Sequence, residues 1–271
     1  MAEFFDLAEL PLNAGDQAWG NLGYWDAAPN YSDACRALAT RLGASAQLGQ
    51  TSRVVDAGFG CGDQLIHWLE HFQVPYLTGI NLSHSQTDLA RSRLEAAGHS
   101  EAAASIAQGN IDDQAAWKHW ETASINRVLA LDCAYHFPDR AAFLQRAGQL
   151  LPKGGRLCLT DFVLTESHSG LSLRGMALAP MLKASRIPPR NIVSLSKYET
   201  QLEDAGFHDV EAEDISDWVM QGFAAWLRGY KLANPRRMPR RLWLKYEVTA
   251  AFLDWAYRKQ VLRYVMISAT R

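Results

Sequence analysis

The chain has 271 residues, of which 48% are hydrophobic and 21% charged, with a formal net charge of -2. This is the composition of an ordinary globular protein, and its slightly acidic balance argues against a nucleic-acid binder, which usually has a strongly basic surface. No apolar run approaches the ~20 residues of a membrane-spanning helix, the first ten residues suggest no secretory signal, and the four cysteines form no C-x-x-C pair, so we expect a cytoplasmic protein with reduced thiols.

Strands and helices alternate along the middle of the chain. After a region of helices and turns (1–50), strands are predicted at Arg53–Ala57, Tyr76–Leu82, Ala103–Gln108, Asn126–Leu131 and Arg156–Leu164. Helices are predicted at Ser32–Leu42, Gln64–Phe72, Ser83–Ala97, Ala115–Trp120 and Arg140–Leu151. This alternation predicts an α/β fold with a Rossmann-like, mostly parallel sheet and helices on both faces.

The pattern changes after Leu164. Residues 165–195 are rich in Ser, Gly, Pro and Met, which is typical of a functional cover. A helix capped by Ser196, a strand at Phe207–Ile215, a helical region at 217–259 and a strand at Leu262–Ala269 follow. We therefore expect one domain (1–271) with a cofactor-binding half at 51–164, a seven-stranded sheet whose last strand is antiparallel, and helical lid insertions for the acceptor at 165–195 and 217–259.

The first chemistry-bearing stretch is Val54-Val55-Asp56-Ala57-Gly58-Phe59-Gly60-Cys61-Gly62. A β-branched run ends in an acid and three alternating glycines, which allow positive φ and close approach of a ligand. The N–H groups of the helix that follows attract polar or anionic groups. The spacing is not the G-x-G-x-x-G of a dinucleotide site, and Asp63 disfavours a pyrophosphate, so a cofactor without phosphates is favoured over NAD.

The same stretch resembles motif I of the class I S-adenosylmethionine-dependent methyltransferases, and the resemblance extends from about Tyr24 to Val163. It implies S-adenosyl-L-methionine as the cofactor, S-adenosyl-L-homocysteine as the product, and a glycine loop beneath the methionine part. The residues that the resemblance assigns to cofactor binding are Asp56, Gly58, Gly60, Gly62, Asn81, Leu82, Gln86, Asn110, Ile111 and Leu131.

Two of these assignments depart from the usual family pattern. Gly79-Ile80-Asn81-Leu82-Ser83 resembles the G-x-N-x-S variant of sterol, tocopherol and sugar methyltransferases, in which Asn81 replaces the acid that holds the ribose. Because Asn81 supplies no charge, Gln86 is expected to share this role. Asn110 and Ile111 are expected beside the adenine, and Asp112 is left as an alternative helix cap.

Leu131-Asp132-Cys133-Ala134-Tyr135-His136-Phe137-Pro138-Asp139 is the second such stretch. It resembles the S-x-x-H-F/M segment of small-molecule methyltransferases, and the rebeccamycin-type sugar O-methyltransferases imply His136 as the base and Asp161 as its partner. Alignment of the nucleophile can contribute roughly 7–11 kcal/mol, and a general base typically contributes about 10²–10⁴-fold. The alternatives are that His136 is a structural histidine of the loop and that Asp161 only caps the lid.

Tyr24 and Trp25 form a Gly-Tyr-Trp segment similar to one in sterol and phosphoethanolamine methyltransferases. That resemblance implies aromatic rings that close over the cofactor or the acceptor, where a sulfonium gains cation–π attraction. Tyr24 is therefore included among the predicted catalytic residues. Simple packing of the amino-terminal helix is the alternative.

The segment Phe223–Tyr257 combines many aromatic residues with seven cations, and no acid lies between Arg228 and Lys245. Three interpretations remain open: a solvated basic face over an aromatic core, an anionic or lipid-like acceptor beneath the lid, and peripheral membrane contact through 228–245. No nucleic-acid partner is expected.

The sequence therefore predicts a methyltransferase that acts on an oxygen, a hydroxyl or carboxylate, of a small, largely apolar metabolite or lipid-like acceptor. The alternatives are methylation of nitrogen or carbon in an amine or isoprenoid, and a non-catalytic protein that binds the cofactor or a partner. A nicotinamide oxidoreductase is a weaker rival. No residue cluster has metal-ligand spacing, and a homodimer is left open.

Overall fold

The computed structural model describes residues 10–113, 117, 120, 124–165 and 173–271, with side chains in the last range from residue 178. Seven strands form one sheet in the order β3-β2-β1-β4-β5-β7-β6. The strands are β1 Arg53–Ala57, β2 Tyr76–Asn81, β3 Ile106–Gln108, β4 Arg127–Ala130, β5 Arg156–Leu164, β6 His208–Asp214 and β7 Leu262–Thr270.

Strands β1 to β5 pair in parallel, and β7 runs antiparallel between β5 and β6. The predicted fold, a Rossmann-like seven-stranded mostly parallel sheet with an antiparallel last strand, is confirmed. The carboxyl ends of β1, β2, β3 and β4 lie at one edge of this sheet because these strands all run the same way.

Helices cover both faces of the sheet. They are α1 Tyr31–Ser45, α2 Asp63–His71, α3 His84–Ala96, α4 Ser100–Ser105, α5 Arg140–Leu150, α6 Leu173–Ala184, α7 Leu195–Asp204, α8 Gly222–Ala233 and α9 Arg240–Arg258. Two apolar cores flank the sheet, and alternate residues of β1 join them: Val54 packs in one and Val55 in the other. Strands buried on both faces explain why the sequence shows continuous β-branched runs here.

Several predicted boundaries are wrong. The predicted strand Ala103–Gln108 begins only at Ile106, because the alanine-rich Ser100–Ser105 forms α4 in keeping with its high helix propensity. Asn30 caps α1 ahead of the predicted helix start at Ser32, and Ser194 rather than the predicted Ser196 caps α7. The described part of the amino-terminal region contains turns and the single helix α1. The predicted helix Ala115–Trp120 falls mostly outside the described residues.

The helical region predicted at 217–259 is confirmed. It consists of a π-helical turn at Asp217–Gln221 followed by α8 and α9. Its rings stack on the amino-terminal segment: the centroids of Trp25 and Trp226 are 4.6 Å apart. The use of 165–195 and 217–259 as acceptor-binding insertions remains a prediction. Among the described helices, none has the length and apolar character needed to span a bilayer.

Candidate active site

The glycine loop follows β1 at the carboxyl edge of the sheet. Gly58, Gly60 and Gly62 all have positive φ, at 84°, 58° and 93°. A Cβ at Gly58 would lie 2.7 Å from Cys133 Sγ, and one at Gly62 would lie 2.9 Å from Ala90 Cβ. A Cβ at Gly60 would meet nothing within 4 Å. Gly58 and Gly62 therefore permit close packing of the chain, whereas Gly60 presents its backbone to the space above the loop.

Asp56 holds the helix behind this loop. Its side chain is fully buried, and it accepts hydrogen bonds from Gln64 Nε2 at 2.9 Å and from Trp68 Nε1 at 2.7 Å. Burial raises the pKa of Asp56 to about 6, although these hydrogen bonds oppose the shift. The Asp56 carboxylate is therefore committed to α2 and supports the glycine loop, and its predicted role in cofactor binding remains a prediction.

Asn81, at the end of β2, lies next to the glycine loop. Its Oδ1 accepts a hydrogen bond from Gly60 N at 3.3 Å, and its Nδ2 donates to Gln86 Oε1 at 3.2 Å. The structure thus brings together the Asn81–Gln86 pair that the sequence predicts beside the ribose. Leu82 is 60% exposed at the same edge. The contacts of these residues with the cofactor remain predictions.

The turn after β3 contains the residues expected beside the adenine. Ile111 is buried, and its carbonyl accepts from Trp117 Nε1 at 2.7 Å and from Arg146 at 2.9 Å. The side chain of Asn110 is exposed and accepts from Asp112 N at 3.1 Å. Asn110 therefore shapes the turn, and Ile111 is anchored by its main chain.

Asp112 is a further candidate for contact with the adenine, although the sequence predicts it only as an alternative helix cap. Its Oδ2 accepts from Asp139 N at 3.1 Å, whereas its buried Oδ1 has no hydrogen-bond partner among the described residues. Burial raises the pKa of this carboxyl. A buried acceptor without a donor costs about 1–3 kcal/mol, so a ligand amino group would be favourable here. The signal in the sequence was an acid two residues past the candidate adenine position.

Asp63, the first residue of α2, has a structural partner. Its carboxylate lies 2.5 Å from Arg93 of α3 and accepts from Ala18 N at 3.0 Å. These contacts join the amino-terminal loop to two helices beside the glycine loop. Asp63 is therefore neutralised by the protein rather than directed at a ligand.

A second group of polar residues begins where β4 ends, at the same edge of the sheet. Leu131 is buried, and Asp132 follows it in the left-handed region with φ 55°, which costs energy in a residue other than glycine. Asp132 accepts from Tyr264 Oη at 2.5 Å, Tyr135 Oη at 2.8 Å and Leu22 N at 2.7 Å. Burial raises its pKa to about 6 despite these donors.

Asp132 is therefore a candidate site residue that the sequence interpretation missed. The available signal was an acid directly after a buried parallel strand, at the edge where ligands bind in α/β folds. Its contacts connect β4, β7 and the amino-terminal segment. A strained residue at this edge, held by donors from three separate parts of the chain, is typical of a functional position.

His136 ends a short 3-10 turn at Ala134–His136, and its ring centroid is 4.4 Å from that of Tyr135. Burial lowers the pKa of His136 to about 4, partly offset by a hydrogen bond with the backbone of Arg186. The imidazole is therefore neutral near pH 7. A neutral imidazole has one nitrogen that accepts a proton, and the lowered pKa makes this nitrogen a weaker base than that of a free imidazole.

The predicted contact between Asp161 and His136 is wrong. Asp161 is fully buried and forms an ion pair with Arg140 at 3.0 Å. It also accepts from Tyr198 Oη at 3.0 Å, and the Arg140 guanidinium stacks 3.8 Å from the Tyr198 ring centroid. Asp161 thus joins β5 to α5 and α7, because a buried carboxylate is stable only with charged and hydrogen-bonding partners.

Tyr24 packs between α1 and the insertion. Its ring stacks on Trp218 with centroids 5.5 Å apart, and the Arg41 guanidinium lies 4.5 Å from its centroid. Trp25 N donates to Trp218 O at 3.1 Å. The packing alternative is therefore what the structure describes for the Tyr24 ring, and its catalytic role remains a prediction.

Within the described ranges, no cluster of three or more residues is suited to a metal ion.

The chain matches the methyltransferase domain family over residues 28–212. The erythromycin 3''-O-methyltransferase of Saccharopolyspora erythraea is 30% identical over 223 residues, which cover 78% of this chain and 69% of that protein. The 27-O-demethylrifamycin SV methyltransferase of Amycolatopsis mediterranei is 27% identical over 267 residues, which cover 94% of this chain and 92% of that protein.

A solved structure shows the same fold. The geranyl diphosphate C-methyltransferase from Streptomyces coelicolor A3(2), determined with S-adenosyl-L-homocysteine, superimposes with a TM-score of 0.71 at 16% identity, covering 93% of this chain and 87% of that one. The family match extends over more than half of the chain, and its boundaries include the glycine loop, Asn81 and His136. The chain therefore belongs to the class I S-adenosylmethionine-dependent methyltransferases.

Proposed function

We propose that this protein transfers a methyl group from S-adenosylmethionine to an oxygen of a small, largely apolar acceptor, with His136 as the base. The observation that carries the proposal is the position of His136 in the 3-10 turn at Ala134–His136, which follows β4 at the edge of the sheet where the glycine loop also lies. The names of two relatives, which specify O-methylation of erythromycin and of a rifamycin, support oxygen as the target.

The residues around the glycine loop fit the cofactor. The open side of Gly60, the Asn81–Gln86 pair and the unpartnered Oδ1 of Asp112 would hold the methionine, ribose and adenine parts respectively. When bound, S-adenosylmethionine supplies an electrophilic methyl group. Asp56 contributes indirectly, because its hydrogen bonds to α2 fix the end of the loop.

On the acceptor side, His136 takes the proton of the acceptor hydroxyl as the new C–O bond forms. Asp132 is a positioning residue in this scheme, since it anchors the Leu22 backbone and orients Tyr135 beside the imidazole. Asp161 has no part in the proton transfer because Arg140 and Tyr198 bind it.

Methylation of nitrogen or carbon remains the alternative, and a C-methyltransferase shares the fold.

The test is incubation of the purified protein with methyl-labelled S-adenosylmethionine and a panel of hydroxylated apolar metabolites that includes 27-O-demethylrifamycin SV. We expect the label on an oxygen, identified by mass spectrometry and NMR. His136→Ala should lower kcat by about 10²–10⁴-fold while the cofactor Kd, measured by calorimetry, stays the same.

His208→Ala is the matched control, because His208 is an exposed histidine on the edge strand β6. Full activity is expected of it. A label found only on nitrogen or carbon would contradict oxygen as the target, and equal activity of the His136 variant and the wild type would remove its role as the base.

A further inference from the structure

Four arginines cluster around the turn between α8 and α9. Arg236, Arg237, Arg240 and Arg241 are all exposed, and none has an acidic partner among the ion pairs of the described residues. Other cations of this region do have partners: Lys231 pairs with Glu247 at 2.5 Å, and Arg258 pairs with Asp254 at 3.1 Å. The turn is therefore a local concentration of uncompensated positive charge on a chain whose net charge is -2.

Helix stability does not explain this arrangement. Arg240 and Arg241 occupy the first turn of α9, and this first turn contains no acidic residue. Cations at a helix amino terminus oppose the helix dipole, whose positive end lies there. Acids would be the stabilising choice at these two positions. The arginines therefore weaken the free helix end, and an external anion would relieve that repulsion.

Exposed apolar side chains adjoin the arginines. Leu232 is 85% exposed, Leu244 is 61% exposed and Val248 is 46% exposed. Arg240, Leu244 and Val248 follow one another at intervals of four on α9, so they share one face of the helix. Leu244 and Arg240 also line a common cleft of about 380 Å³ with Lys231 of α8.

The apolar part of this face continues into a groove. The groove has a volume of about 360 Å³ and is lined by Met181, Val248, Ala251, Phe252 and Trp255. The surface thus changes from basic at the turn to apolar along α9. Exposed apolar side chains bordered by charge are typical of an interaction site.

We propose that this surface, formed by the α8–α9 turn and the exposed face of α9, docks the enzyme on anionic lipid bilayers. The arginines bind lipid phosphates, and Leu232 and Leu244 enter the interfacial layer, as in peripheral proteins that combine basic and apolar residues. A second copy of the chain is disfavoured, because a two-fold contact brings the same patch of both copies together, and no acid lies between Arg228 and Lys245 to compensate the arginines. A nucleic-acid ligand would account for the positive charge of this surface, but it would not account for the exposed leucines or the groove.

The test is binding of the 271-residue protein to phosphatidylcholine vesicles with and without phosphatidylglycerol, measured by cosedimentation. We expect binding to the anionic vesicles alone, weakened by salt. Each basic residue near such a surface is worth about 1 kcal/mol, so Arg237→Gln/Arg241→Gln should lower the partition coefficient by roughly 30-fold. Leu232→Ser/Leu244→Ser should lower it by at least about 30-fold.

The matched control is Lys153→Gln/Lys197→Gln, which removes two exposed charges elsewhere on the protein and should bind as the wild type does. Thermal unfolding verifies that each variant is folded. The proposal is overturned if the wild type does not bind anionic vesicles at low salt, binds neutral vesicles equally well, or loses as much binding through the control substitutions as through the arginine substitutions.

Discussion

Gly60 is the residue that indicates most clearly which side of the glycine loop faces the ligand. Its φ of 58° and the open space around its Cβ position distinguish it from Gly58 and Gly62, whose Cβ positions are occupied by the protein. We therefore expect Gly60→Asp to abolish cofactor binding in calorimetry, because the new side chain would fill the approach to the backbone and place a charge there.

Gly154→Asp is the matched control for this substitution. Gly154 also has positive φ, at 79°, with nothing within 4 Å of its Cβ position, but it lies in the turn before β5. Both substitutions should cost a similar roughly 1–2 kcal/mol of backbone strain. If the two variants lose cofactor affinity equally, strain rather than blockage is responsible and the ligand position assigned to Gly60 is wrong.

At the scale of elements, the hydroxyl of Tyr264 connects strands β7, β4 and β5. It lies 2.5 Å from the Asp132 carboxylate and 2.8 Å from Thr160 Oγ1. Tyr264→Phe should lower the free energy of unfolding by about 1–3 kcal/mol, because it leaves buried polar groups without a partner. Urea denaturation measures this change, and acceptor KM should also rise as the position of Asp132 relaxes.

Tyr76→Phe provides the comparison for Tyr264→Phe. Tyr76 begins β2, is 36% exposed, and lies beneath the Arg53 guanidinium, so its hydroxyl contributes little to the buried network. We expect a change within about 0.5 kcal/mol. Equal losses in the two variants would mean that the Tyr264 hydroxyl has no special role at the junction.

How well the sequence predicts each feature depends on how far apart along the chain the interacting residues lie. The strands β1, β2 and β5 are recognisable because local runs of buried residues define them, and the glycine loop and Asn81 are adjacent in the same local pattern. The partners of Asp161 are 21 and 37 residues away, at Arg140 and Tyr198. The Tyr264 partner of Asp132 is 132 residues away. Contacts of this range depend on the assembled sheet, so the local sequence pattern predicts the strands and the glycine loop but not this network of contacts.

At the scale of the whole molecule, buried acids and buried histidines make opposite contributions to the pH dependence of stability. Burial raises the pKa of Asp56 from 3.8 to about 6, so its contribution is fully present below pH 3.8 and is lost as the pH rises through 6. Burial lowers the pKa of His67 from 6.5 to about 4, so its contribution is present above pH 6.5 and is lost as the pH falls through 4.

Because the two windows overlap, substitutions at these residues should shift stability in opposite directions. Relative to the wild type, Asp56→Asn should gain stability as the pH rises from 3.8 to 6, whereas His67→Gln should gain stability as the pH falls from 6.5 to 4. The readout is the slope of the difference in unfolding free energy, measured by urea denaturation at several pH values, since any pH-independent packing cost only offsets the curve. Parallel slopes for the two variants would show that these buried groups do not titrate as their surroundings require.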